Sequence, residues 1–558
     1  MSANSVSDAI PVVEADVVVV GGGMAGLMAA IAAAEQGASV ALLDKAHPRR
    51  SGGAASGLDH LSVLVEPEKQ MPRFLKRQAE VCGGLTDPRL PALFRHSWDV
   101  LMFLENIGVK VRDSRTGELI WIAAPIHLGE KLTVSLEGGD LKIRLFETAV
   151  RRGVNIYART MGTGLLTSGG RVVGATGLNV RDGTFLAFRA RATVVATGAI
   201  LRMYKAVADL RFNTHHCPYC TGDGQAMAYR AGAELVNMEM TTMQPSPKGY
   251  SVAGISGVVS MGAHFVNALG ERFMARYDPA RMEIAAKSTM ALAFLTETKE
   301  GRAPLFVDFR HLTNEQRELL LRGFREERPT ILEYFGQKNI DIAQQPVEFE
   351  LHEYFGGQGP GGGIKLAGES CESTVPGLFA AGDCTGGKGW PAAMGAMILG
   401  QVAGRNAAAY SRQTAPTPVD DEQVLRERER VFVHLDSRAS LRWQEVEDKL
   451  KRVMSDYVGA SRSEVGLKIA LQRIAQLGED ISSIGVRNYH ELGRALEVAN
   501  LVEVSRLIAA AALERKESRL APFHFRSDYP ATDDANWLGF VVLRRENGED
   551  VVSFERID

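Results

Sequence analysis

The sequence predicts a multidomain α/β protein built on a doubly wound sheet, followed by a helical unit, and three observations carry this. An apolar, β-branched run at 15–20 enters the glycine turn Gly21-Gly22-Gly23-Met24-Ala25-Gly26, which opens an alanine-rich stretch of strong helix formers. A second apolar run at 39–43 ends on Asp44, an acid about 20 residues beyond that turn. The chain has 558 residues, 45% hydrophobic and 23% charged, which exceeds one ordinary domain and excludes wholesale disorder.

Each part of the opening unit has a physical task. Gly21 permits the tight turn, Gly23 lets a pyrophosphate approach the backbone, and Gly26 lets helix and strand pack closely. The amides at Met24 and Ala25 begin a helix whose positive end favours phosphate, and Asp44 is placed to accept from ribose hydroxyls. This is the Rossmann-like pattern of a dinucleotide site, and it admits either NAD or FAD. Lys45 and Arg50 then flank a run of small residues, Ser51, Gly52, Gly53, Ala54, Ala55, Ser56 and Gly57, suited to a flat group lying on the backbone. The 57 glycines of the chain concentrate in such clusters.

Composition narrows the function class. Lys+Arg 64 against Asp+Glu 67 is too balanced for a nucleic-acid binder. Five cysteines, an odd number, do not make a disulfide framework and point to a reducing, cytoplasmic setting. Residues 1–10 lack the basic and apolar pattern of a secretory signal, and no uninterrupted apolar run reaches the length of a membrane span, so a soluble protein is expected.

The run at 50–58 resembles the flavoprotein subunits of the succinate dehydrogenase and fumarate reductase superfamily, and within it the adenylylsulfate reductase alpha branch. Further stretches carry the same resemblance: Ala196-Thr197-Gly198 after a strand, Thr221-Gly222-Asp223-Gly224, Gly382-Asp383 after a late strand, Gly395-Ala396-Met397 opening a helix, and 517–537 near the C-terminus. The resemblance implies FAD as cofactor, with these residues along it. The superfamily's flavin-linking histidine is Gly52 here, which implies non-covalent FAD. Asp223 also fits an ordinary helix N-cap.

The implied architecture is a discontinuous FAD-binding domain (1–235 and 350–412), an inserted α+β capping domain (236–349), a helical domain (419–520) and a C-terminal tail (521–558). Amphipathic helices are expected at 420–438, 443–457, 464–477 and 490–515.

For the chemistry, the resemblance implies two histidines and two arginines around the substrate, and this sequence departs at each. Gln244 stands for one histidine, and the other is Gln358 or missing; the proton-shuttling arginine falls near Leu292, and the clamp arginine becomes Pro391. Succinate and fumarate are therefore disfavoured. Ser62 stands where the adenylylsulfate reductase branch has a substrate-side asparagine, which puts a sulfonucleotide in doubt as well. Lys388 and Trp390 are candidates to face the substrate, with surface charge and core aromatic as their plain alternatives. His352 reads as a satisfied core histidine. The pair Cys217 and Cys220 admits three readings: packing of a tight turn, a redox dithiol, or metal ligation with neighbouring histidines. No metal is otherwise expected.

Four clustered thiolates for an iron–sulfur centre are missing from the chain, so a ferredoxin-like iron–sulfur partner is the expected electron route. The rival readings are a self-contained flavin oxidase or reductase using Cys217 and Cys220, and a flavin-bearing protein without catalysis. The substrate's identity, the direction of reaction and the oligomeric state stay open. The glycines of 356–363 fall where a catalytic histidine is expected and have no cofactor role.

Overall fold

The computed structural model describes residues 10–124, 127, 130–206, 212, 214, 216–250, 255–356, 359–389, 392–435 and 440–557; of Ser256 and Ala392 only the backbone is described. Its centre is a seven-stranded sheet. The strand Val12–Val20 lies between Val40–Asp44 and Phe185–Val195, with Asn155–Ala158 outside Val40–Asp44, and all these pairings are parallel. Leu378–Ala380 also runs parallel to Phe185–Val195. The antiparallel strands Arg171–Asn179 and Thr160–Ser168 complete the sheet. Val17, Val18 and Val19 are fully buried, as a strand covered on both faces requires.

Two helices cover the centre, Met24–Glu35 and Ala392–Gln413. They pack backbone to backbone because Gly400 and Gly404 face the first helix. A Cβ there would stand 2.2 Å from the Ala25 carbonyl oxygen and 2.1 Å from that of Ala29. Glycine inside a helix costs about 0.5–1 kcal/mol relative to alanine, and the close approach offsets that cost.

The cap is an antiparallel sheet of Thr241–Pro247, Val347–Phe355, Leu305–Asp308 and His264–Val266. Around it pack the helices Lys287–Lys299, Asn314–Glu327 and Pro329–Gln337, with a separate apolar core that includes Phe265, Phe294 and Phe324. The expected boundary at 350 falls inside Val347–Phe355. That strand stays paired with Thr241–Pro247 through to Phe355. A three-stranded sheet of Leu58–Ser62, Thr133–Gly138 and Ile120–Ile122 has no counterpart in the sequence reading.

The helical unit comprises Asp421–Phe432, Trp443–Tyr457, Glu464–Asp480 and Tyr489–Glu514; the first ends six residues short of the expected 438 and the others lie within three residues of expectation. The region expected as a tail holds a hairpin, Gly539–Glu546 with Glu549–Arg556, which pairs with Leu235–Val236. Arg515 anchors it. This fully buried guanidinium donates to Glu239 at 2.6 Å, to Glu517 at 2.8 Å and to the carbonyls of Trp537 and Gly539 at 2.8 and 2.7 Å. Arg515→Met leaves Glu239 buried without its cation, while Glu517 keeps Arg519, so we expect a loss of about 3–5 kcal/mol in denaturant unfolding.

Candidate functional site

One cavity of about 470 Å³ runs from the glycine turn to the cap. At the turn, Gly21 has φ +107°, and a Cβ there would lie 2.4 Å from the Ala196 carbonyl oxygen. A Cβ on Gly26 would lie 1.7 Å from the carbonyl oxygen of Gly21, so this glycine seats the helix on the turn. At Gly23 the same construction meets nothing within 4 Å: that side of the backbone faces open space. Gly23 is also the N-cap and makes no side-chain capping bond, so no side chain takes up the first helix amides at Met24 and Ala25.

Asp44 first organises its own loop. One carboxylate oxygen accepts from Gly22 N–H at 2.7 Å and Ser51 O–H at 2.9 Å, and the other from Ala46 N–H at 2.7 Å. It still lines the cavity. Behind the turn lies Lys142, fully buried, whose ammonium donates to the Gly22 carbonyl. Burial pulls its pKa down to about 7, partly offset by Asp44. Lys142 belongs to the helix Leu141–Arg151, and nothing in the sequence says that it turns inward. Lys142→Met should weaken cofactor binding roughly tenfold, read by fluorescence titration, because the bond from a charged donor to the turn is lost.

The cap contributes Gln244, Lys287 and Glu327 to the cavity wall. Lys287 Nζ donates to Gln244 Oε1 at 3.2 Å, and Gln244 Nε2 donates to Tyr354 Oη at 2.6 Å. Burial drives the Lys287 pKa down to about 7 against a small opposing pull from Glu327. Leu292, where spacing puts the shuttle arginine, is 41% exposed and lies off this wall. The helix Lys287–Lys299 points its first residue, not its sixth, into the cavity.

Beside this wall Arg328 bridges Asp59, at 3.1 Å, and Glu327, while His60 pairs with Asp59. Burial alone would raise the Asp59 carboxyl; Arg328 and His60 outweigh it and hold it well below the ordinary range. Burial lifts Glu327 to about 8. Asp59, His60 and Glu327 have metal-ligand spacing, but Arg328 already supplies their cation, so we read an ion-pair network.

Comparison with known proteins matches the family described as FAD binding domain over residues 16–397. This chain belongs to that family. Residues 447–558 match the fumarate reductase flavoprotein C-terminal family. Relatives include an FAD-dependent oxidoreductase of Methanocaldococcus jannaschii, 28% identical over 97% of this chain and 98% of that protein. A fumarate reductase (CoM/CoB) polypeptide from Methanothermobacter marburgensis is 29% identical over 96% of this chain and 97% of its own length. The adenylylsulfate reductase structure from Archaeoglobus fulgidus shares the fold, with a TM-score of 0.88 at 23% identity over 98% of this chain and 96% of that one. The chain is thus an FAD-dependent oxidoreductase of the fumarate reductase and succinate dehydrogenase flavoproteins.

The cradle of this flavoprotein fits FAD. The backbone at Gly23 is open and its helix amides carry no side-chain cap, as a pyrophosphate requires. Of the expected cofactor residues, Gly21, Gly23, Met24, Ala25, Asp44, Lys45, Arg50, Ser51, Gly52, Gly53, Ala55, Ala196, Thr197, Gly198, Asp223, Gly382, Asp383 and Ala396 line the cavity. Gly26, Ser56, Gly57, Gly395 and Met397 do not. Gly26 packs under the turn, Ser56 O–H donates to the Glu327 carbonyl at 2.6 Å, and a Cβ on Gly57 would lie 2.3 Å from the Glu326 carbonyl oxygen. The late helix starts at Ala392, so Gly395 sits inside its first turn, and Met397 is fully buried.

Asp223 is the first helical residue, not the cap. Gly222, at φ +78°, takes the cap position, and Asp223 instead pairs with Lys45 at 2.7 Å and accepts from Asn500 at 3.0 Å. Lys45 also meets Glu497 at 2.9 Å, and Glu497 meets Arg202 at 2.8 Å. The helical unit is thereby tied to the cofactor wall, a link with no sequence signal because the partners are hundreds of residues apart.

Lys388 does not reach the cavity: it is 2% exposed and donates to Asp383 Oδ1 at 2.5 Å and to the Gly382 carbonyl at 3.0 Å. Ser62 does line the cavity, and His352 is a core residue paired with Glu350 at 3.0 Å. Gln358, Trp390 and Pro391 lie outside the described residues. In the glycine run, Gly362 and Gly363 are packing residues; a Cβ on either would stand 2.2 Å from Phe355 or from the Cys384 carbonyl oxygen.

Proposed function

We propose that this flavoprotein exchanges two electrons between a small-molecule substrate and non-covalent FAD, with the substrate held between Gln244 and Lys287 of the cap and the cofactor loops. The observation that carries this is the continuity of the cavity: one space joins the glycine turn to the cap wall. When bound, FAD supplies the electron-accepting and electron-donating centre. The protein's own residues orient the substrate, exclude water and handle the proton. Lys287, with its pKa near 7, can hold or release a proton at Nζ at physiological pH, as an acid–base group beside a reacting atom must. Gln244, braced by Tyr354, offers a neutral amide, which suits a polar substrate group better than a carboxylate. Lys287 is the only lysine or arginine among the described cap residues on that wall, so the paired guanidinium clamp of a dicarboxylate site lacks support. Succinate and fumarate remain disfavoured on this reading.

Gly52, on the wall with φ +79°, offers no side-chain atom to bond the flavin covalently. For the electrons, an iron–sulfur protein of the ferredoxin type in the cytoplasm is the partner we favour, since the chain has only five cysteines. Among the described residues no helix is long and apolar enough to cross a membrane. Affinity isolation of the tagged protein from its source cells tests the partner: a co-isolated iron–sulfur protein that reoxidises the photoreduced flavin anaerobically supports it. Flavin that reoxidises only with dioxygen would contradict it. Acid precipitation that leaves the flavin on the polypeptide would contradict non-covalent binding.

A further inference from the structure

Cys217 and Cys220 lie on the wall of the same cavity, and holding FAD does not call for two thiols there. Pro218 and Tyr219 form the middle of a tight turn closed by Cys220 N–H donating to the Cys217 carbonyl at 3.1 Å. A turn of this kind brings its outer Cα atoms within about 7 Å, close to the span of a disulfide. The two side chains interact, each thiol shifting the titration of the other.

Their surroundings differ. Cys220 is buried against Gly198 of the cofactor wall, where a Cβ would stand 3.3 Å from its sulfur, whereas Cys217 is half-buried. The bond from Cys220 pulls the Cys217 thiol down to about 7 against its burial, helped by Tyr219 N–H and Lys45; Cys220 is pushed well above its ordinary value. One sulfur thus carries thiolate at neutral pH while the other keeps its proton, the asymmetry of an attacking and a resolving thiol. The other cysteines, Cys82, Cys371 and Cys384, are buried singly, and burial raises each of their thiols. Among the described residues no third histidine, cysteine or carboxylate completes a metal set around the pair.

We infer that Cys217 and Cys220 form a redox-active pair that passes two electrons to and from the flavin; the inference rests on FAD occupying this cavity. In one direction the Cys217–Cys220 S–S bond breaks and takes up two electrons, with one proton from the reduced flavin going to Cys220 to give a thiol and Cys217 left as thiolate. The reduced flavin that supplies the electrons returns to its oxidised form. The reverse step forms the bond and reduces the flavin.

The test is an anaerobic dithionite titration of holoprotein first oxidised with glutathione disulfide, with alkylation and peptide mapping at each step. Cys217 and Cys220 should be protected at the start and become alkylated as the flavin bleaches. The wild type should take up about twice the reducing equivalents per flavin of Cys217→Ser or Cys220→Ser, since the pair is a two-electron couple. Two alkylatable thiols after oxidation, or a disulfide that survives complete flavin reduction, would overturn the inference. Mapping of the wild type alone decides this even if a variant fails to fold. A folded protein that binds no FAD would defeat the cofactor reading, whereas bound flavin beside electron-silent cysteines would defeat only this inference.

Discussion

A Lys287→Met holoprotein is expected to melt at a higher temperature than the wild type and yet be reduced by its substrate about 10²–10⁴-fold more slowly. Both effects follow from one buried amine. Burial lowers its pKa from 10.5 to about 7, so below pH 7 the folded protein carries an ammonium that the cavity solvates poorly. Each pKa unit corresponds to about 1.4 kcal/mol, and methionine removes a cost of a few kcal/mol while losing one hydrogen bond to Gln244. The sign is specific. Between pH 7 and 10.5 the unfolded chain holds a proton that the folded one does not, so wild-type stability gains with rising pH across that window. Below pH 7 both states are protonated and the penalty is constant. The advantage of Lys287→Met should therefore be flat below pH 7 and shrink above it, read by thermal melts at several pH values. A destabilised variant at pH 6 would show that Lys287 is structural.

The second large effect is at Gly26. Its backbone is helical and tolerates alanine, so Gly26→Ala tests packing without backbone strain. A methyl group 1.7 Å from the Gly21 carbonyl oxygen must push the turn away from the helix and misalign the amides that hold the pyrophosphate. FAD affinity should fall at least about 100-fold, or about 2.7 kcal/mol. Gly37→Ala is the control: its φ of +81° makes alanine strained, but no atom lies within 4 Å, so a modest stability loss with unchanged FAD affinity is expected. Equal FAD affinity in both variants would contradict the account of the turn.

The sequence made the opening unit legible because its signals are local. A β-branched strand, a glycine turn and an acid follow one another within 33 residues, from 12 to 44, and chain neighbours decide each role. The C-terminal helices were legible for the same reason: their periodicity is written along each segment. Groups that act across the fold were not. Lys142 and Lys287 look like ordinary helix lysines, and only the tertiary structure turns them inward. Counting residues back from Arg302 placed the cap cation at Leu292, because spacing cannot say which residue a helix presents to a cavity. Lys388 shows the same limit: its ammonium is held by Asp383, five residues away, a pairing that spacing does not announce. The glycines at 362 and 363 read as a gap in the substrate site, and they prove to be close packing contacts against Phe355 and the Cys384 backbone, which composition alone cannot tell from ligand contact.

A cap-side substrate is expected to exchange two electrons with FAD in one continuous cavity. Anaerobic absorbance of the oxidised holoprotein, mixed in turn with succinate, sulfite plus AMP, thiols, and aromatic or heterocyclic acids, tests it most directly. At least one compound other than succinate should bleach the flavin, and Lys287→Met should slow that bleaching while the flavin stays bound. Bleaching by succinate alone, undiminished in Lys287→Met, would contradict it.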